Sequence, residues 1–119
     1  MATVAETLAE LTRMEGAVAA ALVDSNSGFM LGSAGHGLDI ELASAGNTEV
    51  LRAKLRAIQS LGLDDTVEDI LISLGKQYHV IRPLKKKPGT FVYLVLDRSR
   101  SNLALARRAC QDAEGKFEV

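Results

Sequence analysis

From Ile40 to about Leu61 the chain has no proline and is rich in Ala, Leu, Glu, Arg and Lys, all strong helix formers. Asp39 is placed to cap such a helix and Gly62 to stop it. At 1.5 Å per residue the helix spans about 33 Å. Its wheel is unusual. With Ile40 at zero and about 100° per residue, Leu51, Leu55 and Ile58 cluster between roughly 0° and 60°. Val50, Ala43 and Leu61 lie near 280–300°, and Ala57, Gly46, Ala53 and Leu42 continue down to about 200°. Glu41, Glu49, Arg52, Arg56 and Gln59 take the remaining side. A surface helix covers one core with a stripe of about 100° or somewhat more, and this arc exceeds half the circumference. The surplus calls for a second apolar partner. The simplest is the same helix of a second subunit, approaching over the small shoulder at Ala43, Gly46, Val50, Ala53 and Ala57. Asn47 and Lys54 fall inside the arc, one heptad apart. They sit at its rim with Lys54 snorkelling, or Asn47 sets the register of a helix pair.

The other elements follow from local signals. Thr3-Val4-Ala5-Glu6 matches a capping box, and Val4, Leu8 and Leu11 form the stripe of a short helix ended by Gly16. Ala17–Asp24 is ambiguous alone. The Ser25-Asn26-Ser27-Gly28 turn cluster and the following Phe29-Met30-Leu31 make it the first strand of a hairpin. Gly32, Gly35 and Gly37 are expected to form a flexible connector to the long helix. Thr66–Leu74 and Gln77–Leu84 read as strands around Gly75-Lys76, and Lys85-Lys86-Lys87-Pro88-Gly89 as the next loop. Thr90–Leu96 is nearly continuous in apolar, β-branched and aromatic residues, so both its faces should be covered. Ser101 is expected to cap a last helix with the stripe Leu103, Ala106, Cys110 and Ala113, stopped by Gly115. Five strands joined mainly by hairpins, with three helices in the order αββαβββα, predict an α+β domain built on an antiparallel sheet and spanning residues 1–119.

A hydrophobic fraction of 47% supplies a core, so the chain is not expected to be disordered. The net charge of −1 and an aromatic content of 4% without Trp argue against a nucleic-acid binder. No apolar run approaches the ~18 residues of a membrane span and no secretory signal opens the chain, which points to a soluble, cytoplasmic protein. There is no GxxxxGK[ST] segment, and Asp39 at the helix cap would repel a phosphate. His36, read as a loop residue, and His79, read as a strand residue, offer no metal-ligand spacing with Cys110, a core residue of the last helix. The serines lack a nucleophile elbow, and Asp64-Asp65 and Glu68-Asp69 read as a solvated, edge-protecting loop. No catalytic residue, metal or cofactor is therefore expected. Charge is uneven: residues 1–62 carry four basic and seven acidic side chains, residues 63–119 ten and eight. Lys85, Lys86 and Lys87 at a hairpin tip either keep that hairpin solvated or steer an acidic partner.

Met14-Glu15-Gly16-Ala17-Val18, Leu22-Val23-Asp24 and Ser27-Gly28 resemble the opening of the roadblock / dynein light chain family. Asp39-Ile40-Glu41-Leu42-Ala43 is similar to the start of its long second helix. Leu84, Phe91–Asp97 and Asn102–Arg107 resemble its last strand and closing helix, so the similarity covers nearly the whole chain. The resemblance implies a homodimer with paired second helices and paired third strands. Asn47, Lys54, Val67 and Ile70 would join the small shoulder in that interface. It also implies a non-enzymatic regulator or scaffold of a small Ras-like GTPase, with Lys85–Lys87 as a candidate partner contact. A small-ligand sensor, or a general protein-interaction module on the same α+β fold, is the alternative.

Overall fold

The computed structural model describes residues 3–117, and its elements follow the expected order. They are α1 (Val4–Thr12), β1 (Ala17–Asp24), β2 (Met30–Gly35), α2 (Ile40–Ser60), β3 (Ile70–Ser73), β4 (Gln77–Pro83), β5 (Thr90–Asp97) and α3 (Leu103–Glu114). The strands form one antiparallel sheet in the order β2-β1-β5-β4-β3, which leaves β2 and β3 at its edges. Alternation along the strands divides the core in two. On one face Ala20, Leu22, Val80, Val92, Leu94 and Leu96 pack with Leu8 and Leu11 of α1 and with Ala106, Cys110 and Ala113 of α3. On the other, Ala21, Val23, Ile81, Phe91, Tyr93 and Val95 pack with Leu51 of α2. β5 is buried from Thr90 to Leu96, as a strand covered on both faces must be.

The helix ends obey their local chemistry. The Thr3 hydroxyl accepts from the Glu6 amide at 3.1 Å, although it also donates to the Glu6 carboxylate, which thereby departs from an ideal capping box. Asp39 accepts from the Leu42 amide at 3.1 Å. At the far end of α2 the Gly62 amide donates to the Gln59 carbonyl and the Leu63 amide to the Ile58 carbonyl, with Gly62 at φ +67°. This is a Schellman closure, and it needs a residue free to enter the left-handed region.

Three boundaries differ from expectation. Gly32 and Gly35 belong to β2 rather than to a connector. Gly32 is where α1 crosses the edge strand, so closely that a Cβ there would meet Val4 Cγ1 at 2.9 Å and Leu8 Cδ1 at 3.3 Å. β3 begins at Ile70, not Thr66. Its register pairs Ile70 with Ile81, so continuing backwards would place Glu68 opposite Pro83, which has no N–H to give. Asp69 is instead held by α3, its carboxylate accepting from Arg107 Nε at 2.8 Å and Nη2 at 3.0 Å. Finally, Asn102 rather than Ser101 caps α3, accepting from the Leu105 amide at 3.1 Å.

Candidate functional site

Only one side of α2 meets the sheet. Ser44, Thr48 and Leu51 are its buried residues, spaced four and three apart along a single stripe. Ile40 and Ala43 pack beside them against the same core. The rest of the apolar arc has no partner among the described residues. Leu42 is 70% exposed, Leu61 69% and Val50 40%. Gly46, Ala53 and Lys54 are exposed, Ala57 is half-buried, and a Cβ added at Gly46 would meet nothing within 4 Å. Two half-buried residues at the far edge of the same sheet face, Ile70 and Ile72 of β3, pack against the α2-side core. Val67 lies before the strand and is half-buried. Ala43, which packs against the core, departs from the expected interface, whereas Gly46, Val50, Ala53, Lys54 and Ala57 lie on the outer side of α2 and Val67 and Ile70 along the open edge of the sheet.

Asn47 is a second exception. It is half-buried, its amide nitrogen donates to the Ala43 carbonyl at 2.8 Å, and it lies near enough to Tyr93 to oppose part of the upward shift of that phenol. It therefore points toward the sheet and helps to fix α2 on its own protomer. Tyr93 anchors a small polar network that the sequence does not announce. Its hydroxyl lies 3.0 Å from His79 Nδ1, and His79 Nε2 lies 2.9 Å from Gln77 Oε1. The Tyr93 ring meets the imidazole edge-on at 83°. Burial raises the Tyr93 phenol to about 12 and lowers the His79 imidazole from its ordinary 6.5. With the Tyr93 O–H donating to Nδ1 and Nε2–H donating to Gln77, the neutral imidazole is fully satisfied. Because the folded value lies below the unfolded one, the unfolded chain binds the extra proton first, and the contribution of His79 to stability falls as pH drops below about 6.5. The melting temperature should accordingly decline between pH 7.5 and 5.5, and His79→Gln should flatten that decline. An unchanged pH profile in the variant would assign the dependence elsewhere.

Lys85, Lys86 and Lys87 occupy the β4–β5 loop, with Lys85 and Lys86 exposed and Lys87 half-buried. This loop is anchored rather than free. The buried Glu114 carboxylate, one turn after Cys110 on the inner stripe of α3, accepts from the amides of Lys85 and Lys86. Its other oxygen lies 3.6 Å from Arg82 Nε, and Arg82 shares the face of β4 that carries Val80. Neither residue stands out as a site in the sequence. The available signals are positional: a Glu in phase with the apolar stripe Ala106-Cys110-Ala113, and an Arg in phase with Tyr78 and Val80. Cys110 itself is fully buried, and burial lifts its thiol to about 12, partly offset by the charge of Arg82. It should resist a thiol-specific reagent at pH 8 in the native state and react fully in denaturant; rapid native labelling would contradict its placement. Among the described residues no group of His, Cys, Asp and Glu is arranged to hold a metal ion, and no helix is long and apolar enough to cross a membrane.

Neither a family model nor a curated protein matches the chain. Solved structures do. A Roadblock/LC7 domain from Streptomyces avermitilis superimposes with a TM-score of 0.82 at 14% identity, over 97% of this chain and 94% of that one. MglB of Myxococcus xanthus gives 0.79 at 18% identity, over 92% and 87%. MglB in a tetrameric arrangement gives 0.78 at 18% identity, over 92% and 80%. Identities this low speak for the fold, and they agree with the resemblance carried by Met14–Val18, Asp39–Ala43 and Phe91–Asp97. The αββαβββα order, the five-stranded antiparallel sheet and these superpositions together show that the chain has the Roadblock/LC7 fold.

Proposed function

We propose that this chain is a homodimeric, non-catalytic regulator or scaffold of a small Ras-like GTPase, acting in the cytoplasm as one domain. The single observation that carries the reading is the bare apolar side of α2, found together with the open β3 edge on a Roadblock/LC7 fold. A monomer would leave Leu42, Val50 and Leu61 in water, each forgoing part of the roughly 1.5–3 kcal/mol that full burial of such a side chain contributes. Two copies joined through α2 and β3 would cover that surface and complete the backbone hydrogen bonds of the edge strand. Gly46, Val50, Ala53, Ala57 and Ile70 supply the contact in this reading, with Lys54 and Val67 at its margin. Oligomerisation has a parallel in the structural neighbour described as tetrameric MglB. The GTPase assignment comes from the family that the sequence resembles. A chain without a phosphate-binding loop suits a protein that contacts a nucleotide-binding partner instead of holding the nucleotide.

Affinity capture from the source cell, in parallel with GTP and with GDP, tests the partner. Recovery of a small GTP-binding protein in a nucleotide-dependent manner is the expected result; repeated failure to recover one would overturn the assignment. The sensor alternative would need a chamber between sheet and helices. On the α1 and α3 side, Leu8, Leu22, Val80, Leu94 and Cys110 occupy that space and are all fully buried.

A further inference from the structure

A cleft of about 410 Å³ opens between α3 and the segment preceding β3, on the face opposite α2. Four cations line it, Arg82, Lys85, Arg107 and Arg108, along with three carboxylates, Glu68, Asp69 and Asp112. The charges are not equivalent. Arg107 is committed to Asp69 through two hydrogen bonds, which also hold its guanidinium proton more firmly than usual. Arg82 is nearly buried, with its side chain 11% exposed, and among the described residues its Nε has no hydrogen-bond partner. Glu114 stands 3.6 Å away, close enough for an ion pair but too far to accept that proton, and its other oxygen is held by the amides of Lys85 and Lys86. That nitrogen is itself enclosed, so an acceptor entering the cleft would have to bond the terminal nitrogens of the Arg82 guanidinium. The same Glu114 clamp sets the start of the lysine loop, so Lys85 is held at the cleft wall beside Arg82 and Arg108.

We infer that this cleft docks an acidic segment of a partner protein, with a Glu or Asp carboxylate seated against Arg82, Lys85 and Arg108. The chemistry selects a peptide over other anions. A guanidinium beside an ammonium suits the single charge of a carboxylate at hydrogen-bond range. Glu68, Asp69 and Asp112 on the walls would repel a plane of anionic headgroups or a nucleic-acid backbone, whereas an extended chain can place isolated carboxylates between them. The inference requires neither the dimer nor the GTPase, because the cleft lies wholly within one protomer and away from α2.

Fluorescence anisotropy with a fluorescein-labelled eight-residue peptide of alternating Glu and Gly at low ionic strength tests it on the full chain. Saturable binding that weakens with added salt is expected. The charge reversal Lys85→Glu/Arg108→Glu, at two exposed positions, should weaken binding about tenfold or more. Lys76→Glu, at the other end of β4, should leave it within about twofold. Arg82→Lys retains a charge opposite Glu114 but lacks the planar donor fork, and should weaken binding several-fold. Equal losses from Lys76→Glu and the double reversal would reduce the effect to overall charge and overturn the inference. So would wild-type affinity in a folded Arg82→Lys protein, or complete displacement of the peptide by inorganic phosphate at matched ionic strength. Binding to phosphatidylserine vesicles without binding to the peptide would overturn it in favour of a membrane surface.

Discussion

Gly35→Ala should be strongly destabilising. Gly35 adopts φ +83°, and a Cβ there would sit 2.2 Å from the Val18 carbonyl oxygen and 2.7 Å from Ala19 Cα. Both obstacles are backbone, in the strand that pairs with Gly35 through Ala19, so no side chain can rotate away. The left-handed conformation alone costs an L-residue about 1–2 kcal/mol. Separating β2 from β1 to relieve the overlap would add more, for about 3 kcal/mol or more in total. Domains of this size have only about 5–15 kcal/mol of stability to lose. Urea denaturation monitored by circular dichroism measures the effect. Gly46→Ala makes the contrast, because Gly46 is helical and has open space around its Cβ position. In an isolated protomer that change should stabilise α2 by roughly 1 kcal/mol. A Gly35→Ala protein as stable as the parent would mean that the β1–β2 end is not packed as described.

Val50→Glu should halve the mass of the protein without unfolding it. Val50 is 40% exposed in the single chain, so a carboxylate there reaches water in an isolated protomer. At the centre of the proposed helix pair the same carboxylate would be buried without a partner. Stable interfaces bury about 1,600 Å² in total, and an uncompensated charge in one costs about 3–5 kcal/mol. That corresponds to a hundredfold or greater loss of dimer affinity, at roughly 1.4 kcal/mol per factor of ten. Glu41→Lys, on the polar side of α2, should change neither mass nor melting temperature. Light scattering at micromolar concentration should give the parent twice the 12.7 kDa of one chain and the Val50→Glu protein a single chain's mass. A parent mass of one chain would overturn the dimer. A Val50→Glu protein that remains dimeric would move the interface off this shoulder.

Much of the architecture is legible because its causes are local. The caps at Thr3 and Asp39 and the stops at Gly62 and Gly115 act within one helical turn. The continuous apolar run of β5 reports a strand covered on both faces before any pairing is known. The surplus arc of α2 is local in the same sense, since helical geometry alone dictates that Leu42, Val50 and Leu61 turn away from Leu51. By itself, then, the sequence determined the order of elements, most of the helix ends and the existence of an unpartnered apolar side. Apart from the one-residue shift of the α3 cap, what escaped it depends on residues far apart in the chain. Gly32 and Gly35 look like connector glycines until α1 crosses one and β1 presses against the other. β3 is shortened by a proline across the ladder and by an arginine on α3, thirty-eight residues beyond Asp69. Glu114 and Arg82 carry no signature, because a carboxylate becomes a loop anchor, and an arginine a candidate receptor, only when packing removes the water that would otherwise satisfy both. Local propensity and periodicity are written into neighbouring residues, whereas desolvation and cross-chain register arise only once the sheet has closed and α3 has settled on it.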